Sequence, residues 1–167
     1  MITPEFCQLM ARYNAWQNEQ IRVAAEKLTE AEIASEEGAF LGSIKGTLNH
    51  LLWGDLLWMS RFDGGVAPTQ TISESVSLNT TLAVWSAERF RTDGRIRQWA
   101  GDLDVSDLAG DITWFSAAQQ RDVLVPMAQA VVHFFNHQTH HRGQVHALLT
   151  RAGQSIGDTD LVFMPEE

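Results

Sequence analysis

An all-α fold, an up-down four-helix bundle with a small β-ribbon between helices 3 and 4, is predicted by three observations on this 167-residue sequence. Four long stretches repeat apolar side chains at helical spacing. Short turn-rich links separate them. One break, between the third and fourth stretches, is rich in β-favouring residues instead. The first stretch opens with Thr3-Pro4-Glu5: a capping hydroxyl, a proline at the first turn and an acid near the positive end of the dipole. Phe6, Leu9, Met10, Tyr13, Trp16 and Ile21 then recur on one side, to about Leu28. Gly38 to Gly42 forms a loop. Ser43 caps a second helix that carries Ile44, Leu48, Leu51, Leu52, Trp58, Met59 and Phe62 and stops before Asp63-Gly64-Gly65. His50 lies embedded in that apolar line.

Residues 64 to 77 are polar and turn-rich. A third helix runs from Asn79 to about residue 100, with Leu82, Trp85, Ile96 and Trp99 on one side and a local weakness at Gly94. Ile112-Thr-Trp114-Phe and Val123-Leu-Val125 are β-favouring runs joined by polar residues, the pattern of a short hairpin. Pro126 sits at the first turn of a fourth helix that ends near Ala152, at Gly153. In the tail, Leu161-Val-Phe-Met164 is an apolar patch expected to pack back on the rest. With no repeat, low-complexity segment or linker, residues 1–167 read as one domain.

Composition narrows the function classes. The chain is 44% apolar, with six tryptophans and eight phenylalanines, which fits a filled interior and not disorder. A formal charge of −9 argues against nucleic acid as a partner, since that affinity depends on neutralising phosphates. No apolar run is long enough to span a membrane, and the N-terminus lacks the basic and apolar regions of a secretory signal. A lone Cys7 forms no internal disulfide, suits a reducing cytoplasm and reads as a small buried hydrophobe. Small-molecule chemistry is the expectation.

Four of the six histidines fall between His133 and His141. His137 and His141 are one helical turn apart on one face, so two neutral imidazoles can converge on a single ion. A divalent metal needs at least one further protein ligand, and a facing helix can provide it. His50 is the candidate, because an imidazole on an apolar face must find a partner or stay neutral at a cost. Three histidines would leave positions open for water or substrate, the arrangement of a catalytic site. His133, one turn before His137, is either a fourth ligand or a residue of the pocket or core. His140, about 60° around the helix from His137, is placed to support a ligand from behind. His146 points to the opposite face. Gln144 shares nearly the face of His141 and can orient a ligand or bond a neighbouring helix. The zinc-protease string H-E-x-x-H is absent, as is the E-x-x-H of di-iron carboxylate bundles.

The chain resembles the DinB family of four-helix-bundle metalloproteins. The matching residues are Tyr13-Asn14-x-Trp16-x-Asn18, Asn49-His50-Leu-Leu-Trp53 and Asn136-His137-Gln-Thr-His-His141-Arg-Gly-Gln144, with Gly157-Asp158-Thr-Asp160-Leu-Val-Phe-Met closing the chain. The resemblance implies a divalent metal, nickel or zinc first and iron or manganese as alternatives, held by His50, His137 and His141. It also implies a low-molecular-weight thiol as co-substrate, since characterised relatives are transferases and isomerases that use thiols such as bacillithiol or mycothiol, and it carries the expectation of a homodimer. The leading functional expectation is a metal-dependent thiol S-transferase acting on a small-molecule substrate. A metal-hydroxide hydrolase and a non-catalytic metal-binding or sensing module are the alternatives.

Overall fold

The computed structural model describes residues 2–166. Its elements are helix α1 (Pro4–Ala25), a short α2 (Glu30–Ala34), α3 (Ile44–Phe62), α4 (Leu82–Asp102), strands β1 (Asp111–Ser116) and β2 (Arg121–Pro126), and helix α5 (Met127–Arg151). Four of the five α-helices among the described residues begin where a side chain satisfies a free backbone N–H group, and α5 begins behind Pro126 without a side-chain cap. Thr3, Thr29, Ser43 and Thr81 all accept from the first turn of the helix that follows, and Thr29 forms a reciprocal capping box with Glu32. That box accounts for α2, which falls between the predicted end of the first helix near Leu28 and the Gly38–Gly42 loop, where the sequence reading places no element. The third predicted helix likewise starts at Leu82 behind the Thr81 cap, and not at Asn79, because Asn79 is engaged by Asn49. Helix α5 ends at Gly153, whose φ of +78° suits only a residue without a Cβ.

Strands β1 and β2 form the expected antiparallel hairpin, with Ile112 paired to Val125 and Trp114 to Val123. Helix α1 packs on α4 and α5, and α3 packs on α5 and α4. No helix among the described residues is long and apolar enough to cross a membrane. The closing apolar patch departs from expectation. Leu161, Val162 and Phe163 are 37%, 83% and 61% exposed, so the patch does not pack inward. The segment before it is held instead by its backbone: Tyr13 donates to the Thr159 carbonyl, and Gln17 and Gln20 donate to that of Asp158.

The apolar interior is divided in two. One cluster joins Ile21, Leu48, Leu52, Trp85, Val145 and Leu149; the other joins Cys7, Trp58, Met59, Ile96, Phe134 and Phe135. Between them runs a buried polar belt. Asp55 on α3 accepts from Arg89 of α4 through one oxygen and from Gln138 of α5 at 2.8 Å through the other. Arg89 also pairs with Asp93, which accepts from Asn18 of α1 at 2.9 Å. Four helices are thereby tied at one level, with both charges of the Asp55–Arg89 pair buried and hydrogen-bonded, the condition under which burial of an ion pair is tolerated. Gln138 adjoins His137 and Asp55 lies five residues after His50, so this belt fixes the register in which the histidines of α3 and α5 meet.

Candidate metal centre

His50 projects from α3, and His137 and His141 from consecutive turns of α5. One ring nitrogen from each lies within 4.8 Å of the others. Ring centroids are 4.4 Å apart for His137–His141, 4.7 Å for His50–His141 and 5.5 Å for His50–His137. His50 and His141 are buried and His137 is half-buried.

Hydrogen bonds behind the rings set their tautomers. The Ser75 hydroxyl donates to the Ile72 carbonyl at 2.7 Å, so its oxygen is left to accept from His50 Nδ1–H at 2.8 Å. Gln144 Oε1, which has no proton, accepts from His141 Nδ1–H at 2.8 Å. In both rings the Nε2 lone pair is then free, the form in which imidazole ligates a metal. His137 Nδ1 is buried without a hydrogen-bond partner, an unmet polar demand inside the cluster. Burial, reinforced by His141, depresses His50 to about 4. Burial and the neighbouring imidazoles, His141 first, bring His137 down to about 3, and burial lowers His141. All three rings are therefore neutral near pH 7, so no proton has to be displaced before they coordinate.

The α3 side of the site is built by a motif already visible in the sequence. Asn49, His50 and Trp53 each grip the 64–80 loop: Asn49 donates to the carbonyls of Val76 and Asn79, His50 to Ser75, and Trp53 Nε1 to the Gln70 carbonyl at 2.9 Å. Trp53 also stacks on His50, with centroids 5.8 Å apart. On the facing wall the His137 ring rests on Gly54, where an added Cβ would lie 2.7 Å from His137 Cε1. The close approach is available only because residue 54 has no side chain.

The remaining histidines separate. His133 is outside the three-histidine group; its ring lies edge-on to Trp58 at 5.1 Å and 6.0 Å from His137. His140 takes a long contact of 3.3 Å from Gln144 Nε2, so it supports His141 through Gln144. His146 lines a cavity of about 140 Å³ with Tyr13, Arg142 and Ile156 on the other side of α5. A larger cavity of about 370 Å³, bordered by Phe62, Trp99, Leu103 and Met127, contains none of the histidines. Cys7 is fully buried and its thiol is pushed up to about 11 by that burial, which leaves it inert near neutral pH. Gly153-Gln-Ser155-Ile-Gly157 has the spacing of a hydrolase nucleophile elbow, but it follows the end of α5 instead of joining a strand to a helix. Ser75, Gly54 and the Asp55–Arg89 belt were not predicted as part of the site. Ser75 is one of several serines in a polar loop, and only the fold brings it beneath His50.

Three neutral imidazoles, two of them held from behind, with an orphaned buried nitrogen and a glycine-lined wall, fit a divalent cation of borderline softness. The class defined by this fold and site is a helical protein with a potential three-histidine metal site. The chain belongs to the DinB family, whose model matches residues 1–167. It is similar to Protein DinB of Bacillus subtilis (strain 168), at 24% identity over 168 residues, covering 93% of this chain and 91% of that protein.

Proposed function

We propose that His50, His137 and His141 hold one divalent metal ion, nickel or zinc, and that the protein is a low-molecular-weight-thiol S-transferase. The proposed architecture is a single domain of residues 1–167, with α1, α3, α4 and α5 as an up-down four-helix bundle. The observation that carries the reading is the convergence of three neutral imidazoles, two of which spend their Nδ1 protons on Ser75 and Gln144. When bound, the ion would supply Lewis acidity that lowers the pKa of an approaching thiol; the thiol would release its proton to solvent, and its sulfur would bond to an electrophilic carbon as the leaving group departs with the bonding pair.

The protein's own part is orientation and exclusion of water. Ser75 and Gln144 keep the His50 and His141 rings aimed inward, and the Asp55–Gln138 bond holds α3 and α5 in register. Trp53 and the loop it clasps cover the His50 side. No protein nucleophile is required, in keeping with an inert Cys7.

The test is turnover of a chromogenic aryl halide by metal-loaded protein, with and without a small thiol. Thiol-dependent turnover that disappears in His137→Ala is the expected result. Turnover of a model ester without thiol would favour the hydrolase instead, and stoichiometric metal with neither activity would favour the binding module.

A further inference from the structure

The three-histidine cluster continues along α3 and α5 as a pair of facing stripes. On α3, His50, Gly54, Trp58 and Arg61 follow one another at helical spacing; on α5, His141, His137 and His133 do the same. Gly54 meets His137, Trp58 meets His133, and Arg61 comes next. The Arg61 guanidinium carbon lies 4.5 Å from the centre of the Trp58 ring and 4.8 Å from that of Trp114, which β1 brings over the end of α3. These two rings are 5.2 Å apart at an interplanar angle of 72°, and both lie within cation–π distance of the guanidinium.

Arg61 differs from three of the other buried or half-buried arginines in what it touches; Arg142, buried on α5, also lies over an aromatic ring, 5.4 Å from the centre of Tyr13, and hydrogen-bonds Thr139. Arg22, Arg89 and Arg95 each clasp at least one carboxylate. Arg61 has no carboxylate partner among the described residues, although the chain carries 21 acidic residues against 12 basic ones. Indole rings offer no oxygen acceptor, and Arg61 makes no hydrogen bond among the described residues, so its N–H donors are left for another group. A fork of such donors matches a carboxylate or another oxyanion.

We infer that Arg61 binds an anionic group of the substrate, a carboxylate carried several bonds from the atom that reacts at the histidines. This rests on the three-histidine reading for the position of the reacting atom. Eleven residues along α3 amount to about 16 Å of rise, and both side chains lean toward the helix N-terminus, the longer arginine further, so that the gap between their ends is shorter than the rise. A thiol of about six carbons with a terminal carboxylate spans that gap. His133, edge-on to Trp58, borders the path between the two ends.

The experiment compares 6-mercaptohexanoate with 6-mercaptohexanol, ligands of one length that differ in charge. Calorimetric affinities are measured on zinc-loaded wild type, Arg61→Gln and Arg61→Lys. Wild type should prefer the carboxylate by about tenfold, the size of one charge-assisted hydrogen bond, with the preference lost in Arg61→Gln and partly kept in Arg61→Lys. In parallel, hexanoate is titrated into metal-free protein while the Trp58 and Trp114 indole NMR signals are followed; they should shift in wild type and not in Arg61→Gln. Equal binding of acid and alcohol by zinc-loaded wild type, or the same carboxylate preference in Arg61→Gln, would overturn the assignment. The two readings fail separately. Protein that takes up zinc and thiols but ignores charge contradicts only the Arg61 site, whereas Arg61-dependent indole shifts in protein that never takes up metal contradict only the three-histidine reading.

Discussion

Gly54 and His137 meet across the α3–α5 interface so closely that a Cβ at residue 54 would lie 2.7 Å from His137 Cε1. Four residues after His50 on α3, this glycine leaves that wall flat enough for α5 to bring His137 alongside. The two histidine-bearing helices are thus brought together by the absence of a side chain as much as by packing.

Gly54→Ala tests that relationship. Alanine suits a helix better than glycine by about 1 kcal/mol, so the helix itself gains while the His137 ring is displaced. The expected outcome is a loss of about tenfold or more in zinc affinity, measured by competition with a chromogenic chelator, with little loss in thermal stability. Unchanged affinity would mean that His137 does not depend on this contact.

Ser75 and Gln144 hold the His50 and His141 rings by their Nδ1 atoms, and in the proposed site they orient two of the three ligands. Ser75→Ala and Gln144→Leu each free an Nδ1 proton and let the ring turn, and each should weaken zinc binding by about 10- to 100-fold. Near-native affinity in both variants would remove the proposed orienting role.

The metal-free protein should lose stability as the pH falls, and the sign follows from the direction of the shifts. His50 and His137 are depressed to about 4 and about 3 in the folded state, whereas in an unfolded chain they titrate near about 6.5. Below about 6.5 the unfolded chain binds protons that the folded one refuses, so their contribution is complete above that pH and is lost progressively toward 4 and then 3. Urea midpoints of metal-free protein should fall between pH 7 and pH 5, before most carboxylates titrate, and the slope should be smaller in a His50→Asn, His137→Asn double variant. A flat profile over that interval would contradict the buried neutral state.

Asp55→Asn addresses the polar belt. It removes the buried negative charge facing Arg89, and the loss of one partner of a buried pair costs about 3–5 kcal/mol. Arg89 retains Asp93, which places the expected value toward the lower end. Urea denaturation of metal-free protein reads this directly; a change below about 0.5 kcal/mol, the range of an ordinary surface substitution, would show that the belt is not a structural tie.

Much of this was legible in the sequence, for identifiable reasons. Long apolar periodicities placed α1, α3 and α5, with hydroxyl caps at the first two and Pro126 at the third, and the β-favouring runs around Trp114 and Val123 placed the hairpin. The i, i+4 spacing of His137 and His141 put them on one face, and His50 stood out against an apolar helix. Gln144 was legible as a residue that could orient a ligand. The short α2 was not, because a single turn carries too little periodicity to register. Ser75 and Arg61 were hidden for a different cause: each meets a partner distant in the chain, His50 for Ser75 and Trp114 for Arg61. The tail misled because Leu161-Val-Phe-Met164 looks like core, while the segment before it is fastened by backbone carbonyls that composition does not reveal.

The central claim is that His50, His137 and His141 hold a metal. It is tested most directly by elemental mass spectrometry on untagged protein, wild type beside His137→Ala, as purified and after reconstitution with zinc or nickel. About one ion per chain in wild type, lost in a variant that remains folded by circular dichroism, is the predicted result. No metal in wild type even after reconstitution, or equal metal in the two proteins, would contradict it.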